Sequence, residues 1–203
     1  MAREQLIDVI IRGVRPLIMH NGMLADPLYA ATKEIRAITA RKKLDVEDKA
    51  EQLRRAEFMG SMYYDPVLGP VIPTENIERL VRDGAADEKR GRDVQADLEV
   101  FSPEGGELIA LEYDGPRDPE KLLASPKHCF RKIVRVQRNR VVRTRPRFPE
   151  WELRFQLRIY PWASITADVA QRALVTAGAR KGLCDWRPRY GLFEVVKFKT
   201  AKG

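Results

Sequence analysis

The sequence predicts an α+β domain: an antiparallel sheet with helices on one face, in the ferredoxin-like or RNA-recognition arrangement, with a helical insertion and a basic β-hairpin added to it. Three observations carry that prediction. Strand-like and helix-like patterns follow one another as strand, helix, strands, helix, strand, an α+β order. Trp151, Leu153, Phe155, Leu157 and Ile159 alternate with Glu152, Arg154, Gln156, Arg158 and Tyr160, the period-two pattern of a half-buried strand. Between Lys127 and Arg147, finally, nine basic residues stand with no Asp or Glu among them.

Taken in order, Leu6 to Arg12 reads as a first, central strand that Gly13 ends. Asp26-Pro27 predicts a helix start, an acidic N-cap before a proline, running to about Lys43. A second helix opens at Asp45 and reaches about Met59, so residues 27–59 form a helical insertion. Ser61 to Pro73 gives a short strand with a turn at Asp65-Pro66. Thr74 is expected to cap the next helix, with Ile77, Leu80, Val81 and Ala85 as its buried stripe. Val94 to Phe101 and Glu107 to Tyr113 predict a hairpin around residues 103–106. A short helix near Glu120 leads to the basic segment 127–160, where Cys129 to Val136 partners the strand 151–160. The prolines between them place the intervening arginines in a loop or ribbon. Ser164 is expected to cap a helix to about Ala177, and Leu192 to Lys199 closes the domain as a last strand.

At 203 residues, 44% of them hydrophobic, the chain has the material for one globular domain spanning 1–203. No run approaches the apolar length of a membrane span, and the first residues lack a signal-peptide pattern, so a cytoplasmic protein with no membrane partner is expected. Cys129 and Cys184 are the only cysteines and form no C-x-x-C pair, which fits a reducing compartment and excludes a cysteine-built zinc site. With only His20 and His128 besides, neither a metal nor a cofactor is expected.

The charge is local. The chain holds 37 Lys and Arg against 29 Asp and Glu. Setting aside Lys127, Arg131, Lys132, Arg135, Arg138, Arg140, Arg143, Arg145 and Arg147 leaves 28 against 29, so the rest is almost neutral. Seven of the nine are Arg, whose planar fork suits phosphate oxygens. An acid-free patch of this kind is the footprint of a polyanion-binding surface, nucleic acid first. A solvated face without a partner usually mixes signs. Arg154 and Arg158 extend the set on the polar side of the strand 151–160. A second element, the loop after the last helix, brackets Arg180, Lys181, Trp186, Arg187, Arg189 and Tyr190 between Gly178, Gly182 and Gly191. Glycines for close approach, cations and aromatic faces together are the equipment of a single-strand binder. Trp186 taken alone reads as a core residue rather than a stacking face.

Three segments resemble the repeat-associated mysterious protein (RAMP) superfamily, whose backbone subunits coat the guide RNA of CRISPR effector complexes. They are IRGVRPLIMHNG (11–22), YYDPVLGPVIPTENIERLVR (63–82) and GLCDWRPRYGLFEV (182–195), which are similar to the family's first strand and exit, its Asp-Pro and Gly-x-x-Ile-Pro helix entry, and its C-terminal glycine-rich loop and closing strand. The resemblance implies a guide-RNA-coating or related subunit, including a phage-borne or stand-alone relative in a prokaryotic or phage-infected cell. Two departures stand out: Thr74-Glu75-Asn76 is acidic where the family often has a Gly-Ser-Ser run, and Cys184 replaces a common loop glycine.

No Ser-His-Asp set, paired-carboxylate spacing, phosphate-binding loop or metal cluster is present, so a non-catalytic protein is expected. His20, Asp26 and Asp65 are the candidates for the metal-independent ribonuclease alternative, each with a structural job open to it. The leading expectation is a sequence-tolerant binder of single-stranded RNA or DNA, RNA preferred, that self-associates along its strand or joins other ribonucleoprotein subunits. A phage single-stranded DNA-binding recombination factor and a protein-binding inhibitor or scaffold are the other readings.

Overall fold

The computed structural model describes residues 4–41, 45–136 and 139–201. Its elements in chain order are β1 (Gln5–Gly13), β2 (Leu17–Ile18), α1 (Ala30–Ala40), α2 (Val46–Ser61), β3 (Tyr64–Asp65), β4 (Gly69–Pro73), α3 (Thr74–Ala85), α4 (Gly91–Asp97), β5 (Leu98–Phe101), β6 (Leu108–Ala110), α5 (Pro119–Ala124), β7 (Cys129–Val136), β8 (Asn139–Phe148), β9 (Glu152–Ile159), α6 (Ala167–Thr176) and β10 (Phe193–Thr200).

Alternation in β1 and β9 builds the centre. Ile7, Val9 and Ile11 stand opposite Leu157, Phe155 and Leu153, all on one face and all buried. Removing each such side chain from water contributes about 1.5–3 kcal/mol. β10 pairs with the other edge of β1, and β5 with the far edge of β9, giving an antiparallel sheet of order β10-β1-β9-β5. α3 lies in the crossover from β1 to β5 and α6 in that from β9 to β10. Ile77, Leu80 and Val81 of α3, with Ala170, Ala173 and Leu174 of α6, complete the core. This is the predicted α+β, ferredoxin-like arrangement, with α3 and α6 on one face. α1 and α2 fill the 27–59 region, and two small sheets, β2-β8-β7 and β3-β4-β6, flank the main one.

Two strand pairings and three helix caps are corrected. The basic segment 127–160 is not one hairpin: β7 pairs with β8, residue Cys129 to Pro146 through Val136 to Asn139, whereas β9 belongs to the central sheet. Pro146 is tolerated inside a ladder because its carbonyl accepts from Met19 N at 3.0 Å, while its opposite residue, Cys129, sends its N–H to Ser125 O at 2.8 Å. The expected hairpin of 94–101 with 107–113 does not form either. Residues Gly91–Asp97 are helical, β5 pairs with β9, and β6 pairs with β4. The helix caps shift as well: Tyr29, Pro73 and Thr166 precede α1, α3 and α6. Asp26 instead accepts from Leu28 N within a turn, Thr74 N is tied to Glu107 O, and Ser164 is bound through its N and Oγ to Asp97. At Thr74 and Ser164 a tertiary acceptor outcompetes the local cap, while at Asp26 a local turn does.

Gly84 marks how closely the helices approach. A Cβ at this position would lie 2.1 Å from the carbonyl oxygen of Ala173, so α3 and α6 meet backbone to backbone. Gly84→Ala gains about 1 kcal/mol of helix propensity but forces the pair apart, and overpacking of this kind costs about 1–3 kcal/mol. A lowered urea midpoint is the expected result; a raised one would show that the helices separate freely.

Candidate nucleic-acid interface

The hairpin is held at its base by one acid. Glu57 of α2 is buried, accepts from Arg143 Nη1 at 2.5 Å and from Thr144 N at 2.8 Å, and so fastens β8 to the helical insertion. Beside it Arg54 Nη1 reaches Cys129 Sγ at 3.5 Å. Alternation then sorts the strand: Cys129, Arg131, Ile133 and Arg135 share one face, Phe130, Lys132 and Val134 the other. Further out Ile133 and Val142 stand opposite each other and are 65% and 46% exposed, so this half of the ribbon projects from the body.

Two cross-strand pairs are basic on both sides, Lys132 with Arg143 and Arg135 with Arg140. Like charges directly opposite destabilise a ladder. Glu57 neutralises Arg143, but Arg131, Arg135 and Arg140 are exposed and form no ion pair with any other described residue. Lys127 is exposed, and Arg147 donates to the carbonyls of Lys127 and Pro126, which leaves its charge uncompensated. Arg145 differs from its neighbours: it is 8% exposed, 3.7 Å from Asp185, and its Nε has no hydrogen-bond partner. Arg138 lies outside the described residues.

The other face of the ribbon meets the glycine-bracketed loop. Phe130 packs against Trp186 and Tyr190, with centroids 5.6 and 5.8 Å away, and Lys132 Nζ stands 5.1 Å from the centre of the Trp186 ring. Arg147 lies over Phe130 at 5.3 Å. Trp186 is half-buried in this cluster, as Phe130 and Tyr190 are, and lies outside the hydrophobic core. The two elements that the sequence singles out therefore converge, joined through Phe130, which charge counting does not reveal.

The loop glycines serve a different purpose from the one expected. Gly182 and Gly191 adopt φ of 77° and 71°, and a Cβ on them would lie 2.6 Å from Tyr190 O and 2.0 Å from Leu183 O. The backbone they admit is the chain's own, closed by Leu183 N to Gly191 O at 2.9 Å. A Cβ at Gly178 would likewise meet Phe193 O. Cys184, at φ 63°, holds a left-handed conformation more usual for glycine. Much of the loop's charge is also spoken for: Lys181 and Arg180 pair with Asp87 at 2.8 and 3.7 Å, and Arg187 with Asp83 at 3.6 Å. Arg189 is exposed and carries no ion pair among the described residues.

Arg154 and Arg158 lie apart from the hairpin, on the sheet face opposite α3 and α6. Arg154 is bound to Glu112 and Glu152, and Arg158 to Glu99 and, more loosely, Glu4. Asp8 holds Gln156 and Lys197 on the same face. That face is neutralised by its own carboxylates.

His20 stands between two clefts of about 420 and 510 Å³. The larger is lined by Glu57, Arg143 and Arg145 of the hairpin base, the smaller by Tyr63, Glu75, Asn76, Arg79, Asp185 and Arg187. Its Nδ1 has no hydrogen-bond partner, and burial, with help from Arg145, holds its pKa below the usual value. Burial does the same to His128, whose Nδ1 lies 3.0 Å from Arg147 O. Asp26, occupied with Leu28 N, makes no hydrogen bond to His20. Among the described residues no cluster of three His, Cys, Asp or Glu is placed to hold a metal ion, and no helix is long and apolar enough to cross a membrane.

An α+β ferredoxin-like domain carrying a projecting basic hairpin is the class this geometry defines. No protein-family model matches the chain, and no curated protein does. Among solved structures, a chain of the Type III-B Cmr-beta assembly bound to cognate target RNA is similar in fold, with a TM-score of 0.54 and 12% identity over 98% of this chain. The match covers 61% of that neighbour's own length.

Two outcomes follow from the charges described. Glu57→Ala strips a buried acceptor from two donors, and each hydrogen bond to a charged group is worth about 1.5–3 kcal/mol. It should lower stability by about that much and raise amide exchange in β8; unchanged exchange would mean the hairpin is anchored elsewhere. Because both imidazoles fold with pKa below the usual 6.5, the unfolded chain binds more protons, and stability falls as pH drops below about 6.5. Asp8 and Glu51, held low by hydrogen bonds from Gln156 and Arg54, contribute their losses only below about pH 4. Replacing His20 and His128 by Asn should flatten the upper part of that profile in urea titrations.

Proposed function

We propose that this chain is a sequence-tolerant single-stranded nucleic-acid-binding protein, RNA preferred, that assembles along its strand as a subunit of a CRISPR-type or phage ribonucleoprotein. The observation that carries the reading is the ribbon itself: on one face Arg131, Arg135 and Arg140 meet solvent with no ion pair to any described residue, and on the other the half-buried Phe130, Trp186 and Tyr190 gather. Phosphates neutralise the first set and bases stack on the second, with stacking worth about 1–3 kcal/mol per base. The likeness in fold to a chain of an RNA-bound Type III-B Cmr-beta assembly supports the same reading, as does the resemblance of three segments to the RAMP superfamily. The self-neutralised sheet face is left out of the strand's path, unlike the sheet platform of RNA-recognition domains.

The reading takes the protein as a binder and not a ribonuclease. His20 and Arg145 line one cleft, a combination that also suits RNA cleavage, so labelled RNA is to be recovered intact from the binding reaction itself. Cleavage lost on His20→Ala would replace the reading with the enzymatic one.

The salt dependence of binding tests it directly. For a single strand the slope of log K against log salt is about −0.7 per phosphate neutralised. Converting Arg131, Arg135 and Arg140 together to Ala should flatten the slope by roughly 2 and weaken oligouridine binding. Converting Arg154 and Arg158, already paired on the sheet face, should leave the slope in place. Equal effects from the two sets would overturn the proposed path, and competition with oligodeoxythymidine reports the preference between RNA and DNA.

A further inference from the structure

The smaller cleft beside His20 differs in kind from the hairpin. Its charged lining is balanced, with Glu75 and Asp185 against Arg79 and Arg187, and Asn76 and Tyr63 add neutral polar and aromatic surface. A balanced lining does not attract phosphate. Glu75 and Arg79 stand one helical turn apart on α3, yet neither forms an ion pair with any described residue, while the far face of the sheet is laced with them. Across the cleft the Nδ1 of His20 has no partner. The cleft therefore presents an open carboxylate, an open guanidinium and an amide around about 420 Å³, a volume within the range of about 300–1,000 Å³ typical of small-molecule sites.

Position gives the occupant. Asp185 and Arg187, which line the cleft, flank Trp186 of the aromatic cluster, and His20 is shared with the cleft that the hairpin base borders. A strand lying along the ribbon thus has an unpaired base within reach of this recess. Single-stranded bases are read through hydrogen bonds to their edges once they are splayed from the stack.

We infer that this cleft takes one base of the bound strand, and that the base is guanine. The inference rests on the strand-binding reading above. A carboxylate such as Glu75 accepts from guanine N1–H and the 2-amino group, and an arginine such as Arg79 donates to O6 and N7. Cytosine and adenine offer a carboxylate only one amino group, and uracil offers it a single ring N–H. Tyr63 supplies an aromatic side. The acidic Thr74-Glu75-Asn76 helix start, out of place on a phosphate path, has a use here as the base-reading edge.

The test compares oligouridine with the same oligomer carrying one central guanosine, by fluorescence anisotropy on the full chain. The single guanosine should tighten binding roughly tenfold, the discrimination a bidentate contact gives. Glu75→Gln and, separately, Arg79→Gln should each abolish that gain while oligouridine still binds. Oligouridine binding without a guanosine gain, or a gain that survives Glu75→Gln, would overturn the inference and leave the strand-binding reading standing. Failure of both oligomers to bind would overturn the two together.

Discussion

Glu57 is where the folded body and the basic ribbon are joined. It lies buried under β8, holding the guanidinium of Arg143 and the backbone N–H of Thr144 together. Without it the ladder would carry two basic cross-strand pairs with nothing opposed to either. With it the repulsion is relieved at the base and left standing toward the tip. The gradient gives the ribbon its character: anchored and neutral against α2, uncompensated where Ile133, Val142, Arg135 and Arg140 project. A polyanion is the simplest way to relieve the remaining repulsion, because each phosphate settled between two arginines replaces a like-charge contact with two opposite ones.

The same bookkeeping over the rest of the surface shows why position matters more than count. Arg154, Arg158, Arg180, Lys181 and Arg187 all have carboxylates within ion-pair distance. Pairs at such exposure contribute little to stability, but they remove positive potential from the sheet face and from much of the glycine loop. What is left is the open charge of Arg131, Arg135 and Arg140 on one face of the ribbon and, round its edge, Lys132 and Trp186 leading to the polar recess at His20. On that path the character changes from net positive to balanced, from a surface that attracts phosphate to one suited to hydrogen-bonding a base.

The glycine loop shows how one sequence pattern serves two physical ends. Gly182 and Gly191 do allow close approach, but the backbone that approaches is their own and not a ligand's. The closure fixes Trp186 and Tyr190 against Phe130, so the glycines act on the candidate interface by positioning aromatics and not by admitting a ligand. Cys184 holds the same left-handed geometry at some cost in strain.

By itself the sequence determined the central strands, the two crossover helices and the existence of an acid-free basic segment. Each of these is a local matter of side-chain periodicity or of charge along a few residues. Strand pairing was not local. The alternation in β9 is equally compatible with a hairpin partner and with the slot between β1 and β5, and only burial of Leu153, Phe155 and Leu157 against Ile7, Val9 and Ile11 chooses between them. Helix caps went astray for a related reason, since Thr74 and Ser164 have tertiary partners that no short window contains. Which cations are silenced was decided last of all, because the acids that pair with them, Glu57, Asp87, Glu99 and Glu112, come from 40 to 100 residues away in the chain for most pairs, and Coulomb's law depends on separation in space and not along the sequence.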